Sequence, residues 1–313
     1  MARSNIKSGK MNTTFHGAWP ALITPADAEG ELSLSALNDL VEYLLSKKVS
    51  GLYLCGSTGE GVLLSVEERR TMAEKVMAQV GDQVPIIVHV GSMSTRDSVA
   101  LARHAQAVGA SGVSSVLPLI NHSIEATYAH YEAIAGAVPD LPFLPYLFGG
   151  QVDAVTLMQG LLDRIPNVAG AKYTGPNMHE MSHVIELAHH RGERSMGWTI
   201  FSGMDEQCIF GRMMGAPGNI GSTLNVMPGI YRQMGECYQA GDLAHAVALQ
   251  KRANRVTTVL IAHGFSGAMR EAIKMLGIDC GAPRLPHLPL SPEKRELLHA
   301  ELAQADFMEI AAI

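Results

Sequence analysis

The sequence predicts an α/β fold, a single (β/α)8 TIM barrel with a C-terminal helical extension. Three observations carry that expectation. From Phe15 onward, short apolar runs alternate with longer segments of helical spacing, which is the rhythm of repeated βα units. Eight such runs can be counted. Polar or glycine-rich clusters recur where the runs end, at Thr24, at Ser57 with Thr58, at Tyr146, at Lys172, and at Asp205 with Glu206. In a barrel all of these ends meet at one face, where active sites are built. A doubly wound open sheet can also hold a chain of 313 residues, but the recurring end clusters favour the barrel.

The eight strands are expected at residues 18–24, 51–56, 85–91, 112–118, 142–146, 168–172, 199–203 and 218–222. The helices between them carry recognisable starts and stops. Ser33 can cap a helix with Leu34, Leu37, Val41, Leu44 and Leu45 on one face, and Ser65 with Glu68 and Ser94 with Asp97 fit capping boxes. Gly81 and Gly109 stand where helices need a left-handed stop. Residues 228–276 read as helix after helix with a break near Gly241. The expected organisation is a disordered leader over 1–14, the barrel over 15–227, and a helical region over 228–313 that completes and flanks it.

Composition narrows the class of function. Hydrophobic residues at 47% and charged residues at 17% fit a globular chain, and no apolar run is long enough to span a bilayer, so a soluble protein without a membrane partner is expected. The formal charge of −6 comes with no basic block, which argues against nucleic acid as a partner. Cys55, Cys208, Cys237 and Cys280 are widely spread and form no C-x-x-C pair, as reduced thiols of a cytoplasmic protein would. The first residues are polar and lack the apolar stretch of a secretion signal. The 13 histidines form no H-x-x-x-H or comparable ligand set, and His189-His190 reads as a solvated helix end, so no metal is inferred.

The end clusters suggest chemistry. Lys172 follows Val168-Ala169-Gly170-Ala171, which would project its amine among uncharged residues, where loss of solvation disfavours the ammonium and frees a nucleophile for a carbonyl. Its alternative is a rim lysine paired with an acid. Gly56-Ser57-Thr58-Gly59-Glu60 offers close backbone N–H groups and two hydroxyls to a carboxylate or phosphate, or is simply a tight turn. Tyr146 reads as a proton carrier or as a packed tyrosine with one hydrogen bond. Asp205 and Glu206 are either helix-start acids or acceptors for a polyhydroxyl ligand, and Ser222 with Thr223 repeats the small-plus-hydroxyl pattern.

Together the Gly-Ser-Thr-Gly-Glu loop, the tyrosine of strand five and Gly-x-Lys in strand six resemble the N-acetylneuraminate lyase and dihydrodipicolinate synthase family of class I aldolases. The resemblance runs from Phe15 to about Leu290. It implies that Lys172 forms a Schiff base with pyruvate, that Ser57, Thr58 and Gly56 hold the pyruvate carboxylate, and that Tyr146 is the acid/base. No metal or organic cofactor is implied. Lys172-Tyr173-Thr174, Gly203-Met204-Asp205-Glu206 and Gly221-Ser222-Thr223-Leu224-Asn225 are similar to the lyase branch. On that likeness Thr174, Gly203, Asp205, Glu206 and Ser222 would hold the hydroxylated chain of a sugar acid. The synthase branch would place an arginine shortly after the tyrosine, where this chain has Leu147-Phe148-Gly149-Gly150, and a tyrosine pair where it has Leu119-Ile120.

Tyr146-Leu147-Phe148-Gly149-Gly150-Gln151 departs from the lyase pattern, being shorter and more apolar, with Leu147 and Phe148 as a wall that could suit a different adduct. The implied activity is cleavage of N-acetylneuraminate (sialic acid) to N-acetylmannosamine and pyruvate in a homotetramer or homodimer. Another 2-oxo acid aldolase or dehydratase is the alternative, one acting on 2-keto-3-deoxy sugar acids or a dihydrodipicolinate synthase. A non-catalytic sugar-acid-binding barrel is the alternative of another class.

Overall fold

A computed structural model of the chain describes residues 15–118, 123–148, 153–187 and 198–313. The expected leader over 1–14, Leu119-Ile120, Gly149-Gly150-Gln151 and His189-His190 lie outside the described residues. All eight expected strands are present as β1 (Gly17–Pro20), β2 (Leu52–Leu54), β3 (Ile86–His89), β4 (Gly112–Val116), β5 (Phe143–Phe148), β6 (Gly170–Thr174), β7 (Thr199–Ser202) and β8 (Gly218–Gly221). They pair in parallel in the order β1-β8-β7-β6-β5-β4-β3-β2. The circuit closes between its two ends, where Ala21 bridges Tyr53 and the Leu22 N–H donates to the Tyr53 carbonyl at 2.9 Å. The fold is a (β/α)8 barrel.

Two apolar layers follow from side-chain alternation along each strand. The barrel interior is filled by Phe15, Trp19, Ala21, Tyr53, Ile87, Leu144, Phe201 and Ile220. A larger layer lies between the strands and α1 (Leu34–Ser46), α2 (Val66–Val80), α3 (Thr95–Ala107), α4 (Ile124–Gly136), α5 (Ala154–Arg164), α6 (Met178–Glu186), α7 (Cys208–Met213) and α8 (Pro228–Gln239).

The helix starts follow the sequence closely. Ser33 caps α1, and the Ser65–Glu68 box is complete on α2. At α3 the Ser94 hydroxyl accepts from the Asp97 N–H at 3.4 Å, one half of the expected box. The buried stripe of α1 is Ala36, Leu37, Leu40, Val41 and Leu44, so Leu34 lies outside it at 39% exposure. Gly81 and Gly109 take positive φ angles of 54° and 88°.

Beyond α8 come α9 (Leu243–Ala262), α10 (Phe265–Met275), α11 (Pro292–Gln304) and α12 (Phe307–Ala312). The break near Gly241 is real, with φ at 81° there. These helices reach back to the barrel mouth. Gln250 of α9 donates to the Asp205 carbonyl at 2.9 Å and accepts from the Ile209 N–H at 2.9 Å, which pins the turn after β7. Arg270 of α10 does the same for the loop after β2, as set out below.

Candidate active site

Lys172 lies in mid-β6 rather than at its end, since the strand continues to Thr174. Alternation sends Ala171 and Tyr173 outward into the helix-facing layer and Lys172 inward, where it is 4% exposed. Register sets it beside Tyr146 of β5. Its Nζ stands 4.4 Å from the Tyr146 ring centre and 4.8 Å from that of Tyr53 on β2. A cation or an amine is thus held between two aromatic faces inside the barrel.

Tyr146 is 4% exposed, with its ring edge-on to His89 at 6.2 Å and to Phe148 at 6.0 Å. His89 bridges three strand ends. Its Nε2 accepts the Val116 N–H at 3.0 Å, so the proton sits on Nδ1 and is donated to the Cys55 carbonyl at 3.0 Å. Burial, then the charges of Arg69 and Lys172, hold the imidazole well below its usual range and therefore neutral. Arg69 of α2, itself buried, donates to the carbonyls of Gly91 at 2.9 Å and His89 at 2.6 Å.

The loop after β2 is tied at four places. Thr58 Oγ1 lies 2.6 Å from Ser222 Oγ, which joins the ends of β2 and β8. Gly56 packs on the Tyr53 ring so closely that an added Cβ would stand 2.5 Å from it. Glu60, at φ 55°, turns a buried carboxylate to Arg270 Nη2 at 2.9 Å and to the Arg284 N–H at 3.2 Å. Thr24 Oγ1 donates to the Gly59 carbonyl at 2.7 Å. Ser57, by contrast, is exposed at the mouth.

On the β6–β8 side, the polar atoms buried without a partner among the described residues include Thr174 Oγ1 and Asp205 Oδ1. Each fits against a glycine, for a Cβ on Gly203 would stand 1.8 Å from Thr174 Oγ1 and one on Gly221 1.4 Å from Asp205 Oδ1. The other oxygen of Asp205 accepts from the Thr223 N–H at 2.7 Å and its hydroxyl at 2.8 Å. Burial nevertheless pushes the Asp205 carboxyl up to about 6, against the two Thr223 bonds that lower it. Glu206 is half-buried, and its carbonyl accepts from Asn254 of α9 at 3.1 Å. The residues named on the sequence therefore gather at one end of the barrel, in two groups on either side of Lys172.

Two features differ from the sequence reading. Leu147 is 5% exposed and faces the outer layer, so only Phe148 of the expected apolar wall reaches the mouth, at 49% exposure. Phe148 joins Val62, Leu63, Met93, Val116 and Leu117 around a cavity of about 340 Å³ that also borders Ser57. Tyr53 and His89 beside Lys172, and Arg69 that holds the carbonyls of His89 and Gly91, were not singled out by sequence. The signal available for Arg69 was a charge on the same helix face as Met72, Ala73 and Val76.

Residues 14–305 match the family described as "Dihydrodipicolinate synthetase family". The chain is 32% identical to N-acetylneuraminate lyase of Mus musculus over 309 residues, covering 96% of this chain and 95% of that protein. It is 33% identical to the N-acetylneuraminate lyase of Mediterraneibacter gnavus over 291 residues, covering 91% and 90%. The solved Ruminococcus gnavus sialic acid aldolase superposes with a TM-score of 0.88 at 29% identity, covering 96% of this chain and 98% of that one. The chain belongs to the dihydrodipicolinate synthetase family of Schiff-base lyases.

Proposed function

We propose that this lyase cleaves N-acetylneuraminate to N-acetylmannosamine and pyruvate through a Schiff base on Lys172. The observation that carries the reading is the inward, buried amine of Lys172 between the Tyr53 and Tyr146 rings, with hydroxyl and carboxylate groups on the β6–β8 side. The Lys172 amine adds to the 2-oxo carbon, and the carbonyl oxygen leaves as water with one proton from the nitrogen and one from the Tyr146 phenol, so the nitrogen keeps its other proton as a protonated imine and Tyr146 is left as the phenolate. Tyr146 takes the proton of the C4 hydroxyl as the C3–C4 bond breaks, and the bonding pair passes to the imine as an enamine. Protonation of that enamine and hydrolysis return pyruvate and the free lysine. These steps need no metal or organic cofactor.

Ser57, Thr58 and the Gly56 backbone are assigned to the pyruvate carboxylate. Thr174, Gly203, Asp205, Glu206 and Ser222 are assigned to the hydroxylated chain, where the free Thr174 Oγ1 and Asp205 Oδ1 would gain partners. The resemblance also carries a cytoplasmic homotetramer or homodimer. Among the described residues, no helix is long and apolar enough to cross a membrane.

Borohydride reduction in the presence of pyruvate should add the mass of the reduced adduct at Lys172, and Lys172→Ala should abolish it. An untrapped wild type, or equal trapping in the variant, would end the Schiff-base reading. The apolar cavity at Phe148 favours a second reading, another 2-oxo acid aldolase whose partner is less hydroxylated. Turnover of sialic acid no faster than that of 2-keto-3-deoxy sugar acids would select it.

A further inference from the structure

Tyr53 sits under both halves of the pyruvate end of the site. Its ring centre is 4.8 Å from Lys172 Nζ on one side, and the Gly56 backbone of the carboxylate loop rests on its other edge. The ring is held, because its hydroxyl donates to Ser114 Oγ of β4 at 3.0 Å and its plane packs against His89 at 6.1 Å. Tyr53 is also 0% exposed, so water cannot replace what the ring offers.

A phenol tied in this way is ill suited to carry protons. Its proton is given to Ser114, and burial pushes it well above the ordinary tyrosine value. What it presents to Lys172 is the negative face of its π system, which attracts a cation most strongly where solvent is excluded. The other groups facing the lysine are the Tyr146 ring, the neutral imidazole of His89 and the half-satisfied carboxyl of Asp205. No step of the aldolase scheme above uses Tyr53.

We infer that Tyr53 is a catalytic residue whose ring face holds the positive charge on the Lys172 nitrogen as the protonated imine forms. The inference rests on the Schiff-base reading of Lys172. Nitrogen must stay protonated in the imine to act as an electron sink, and the face of Tyr53 raises the pH up to which it does so. The hydroxyl only orients the ring.

The test is borohydride trapping of the pyruvate imine across pH in wild type, Tyr53→Phe, Tyr53→Leu, and a series with fluorinated phenylalanines at position 53. Tyr53→Phe keeps the face and should trap within about twofold of wild type. Tyr53→Leu removes it, and trapping on the alkaline side should fall about tenfold, with the limb of the profile moved to lower pH. Successive ring fluorines drain the face without changing its shape, so trapping should fall stepwise along the series. That series keeps the test intact if the leucine variant folds poorly. Trapping that ignores fluorination, or a phenylalanine variant as defective as the leucine one, overturns the role of the face. A wild type that is not trapped at all removes the Schiff base itself, a distinguishable result.

Discussion

Asp205 shows how a side chain assigned to binding is buried at a cost. Its Oδ2 is committed to Thr223, its Oδ1 has no partner among the described residues, and burial pushes the carboxyl from 3.8 to about 6. Between those two pH values the native state binds more protons than the unfolded chain, so stability falls as pH rises and then levels off. The shift is worth about 3 kcal/mol at neutral pH. Asp205→Asn keeps an oxygen for Thr223 and removes the titration. Urea midpoints of the variant should lose the decline between about pH 4 and 6, while turnover of a hydroxylated substrate falls about tenfold or more through the lost charged acceptor. An unchanged midpoint-against-pH curve in the variant would refute the assignment. The sequence showed the acid and its place after β7. It did not show that Gly221 makes the room for Oδ1, because that contact spans 16 residues of chain and depends on barrel closure.

At the scale of elements, local signals were sufficient where the physics is local. Ser65 and Glu68 satisfy each other's backbone N–H groups at 2.8 and 3.2 Å, a reciprocity written in four residues. Ser65→Ala should cost about 1 kcal/mol, read as a lower urea midpoint with turnover at saturating substrate unchanged. A midpoint equal to wild type would show that the box adds nothing to α2. Strand existence was equally legible, since each run of apolar residues is bounded by turn residues. Strand ends and facing were less so. Lys172 and Tyr146 were read as strand ends, yet β6 runs on to Thr174 and β5 to Phe148. Leu147 was read into the site although alternation from Tyr146 turns it outward. Tyr53 and His89 were hidden because an inward aromatic in a buried strand reads as core until its partner strands are known.

At the scale of the molecule, the helices after the barrel reach the loop after β2 through a buried ion pair. Glu60 and Arg270 have side chains 3% and 5% exposed, and Arg270 also donates to the carbonyls of Thr24 at 3.0 Å and Cys280 at 2.6 Å. Arg284 adds its backbone N–H to Glu60, and its guanidinium to Glu68. The loop after β2 is therefore held in place by α10 and by the segment that follows it, 210 residues away in sequence. No local signal could have announced that pairing. Removing one partner leaves the other charge buried, which costs about 3–5 kcal/mol, whereas removing both together costs less. Arg270→Met and Glu60→Gln should each raise the pyruvate concentration for half-maximal trapping at Lys172, because the loop of Ser57 and Thr58 loses its anchor. The double variant should then recover stability relative to the sum of the two, with a coupling of about 1–3 kcal/mol in urea unfolding. Strictly additive losses, or single variants with unchanged pyruvate saturation, would mean that the loop holds its shape without the C-terminal helices.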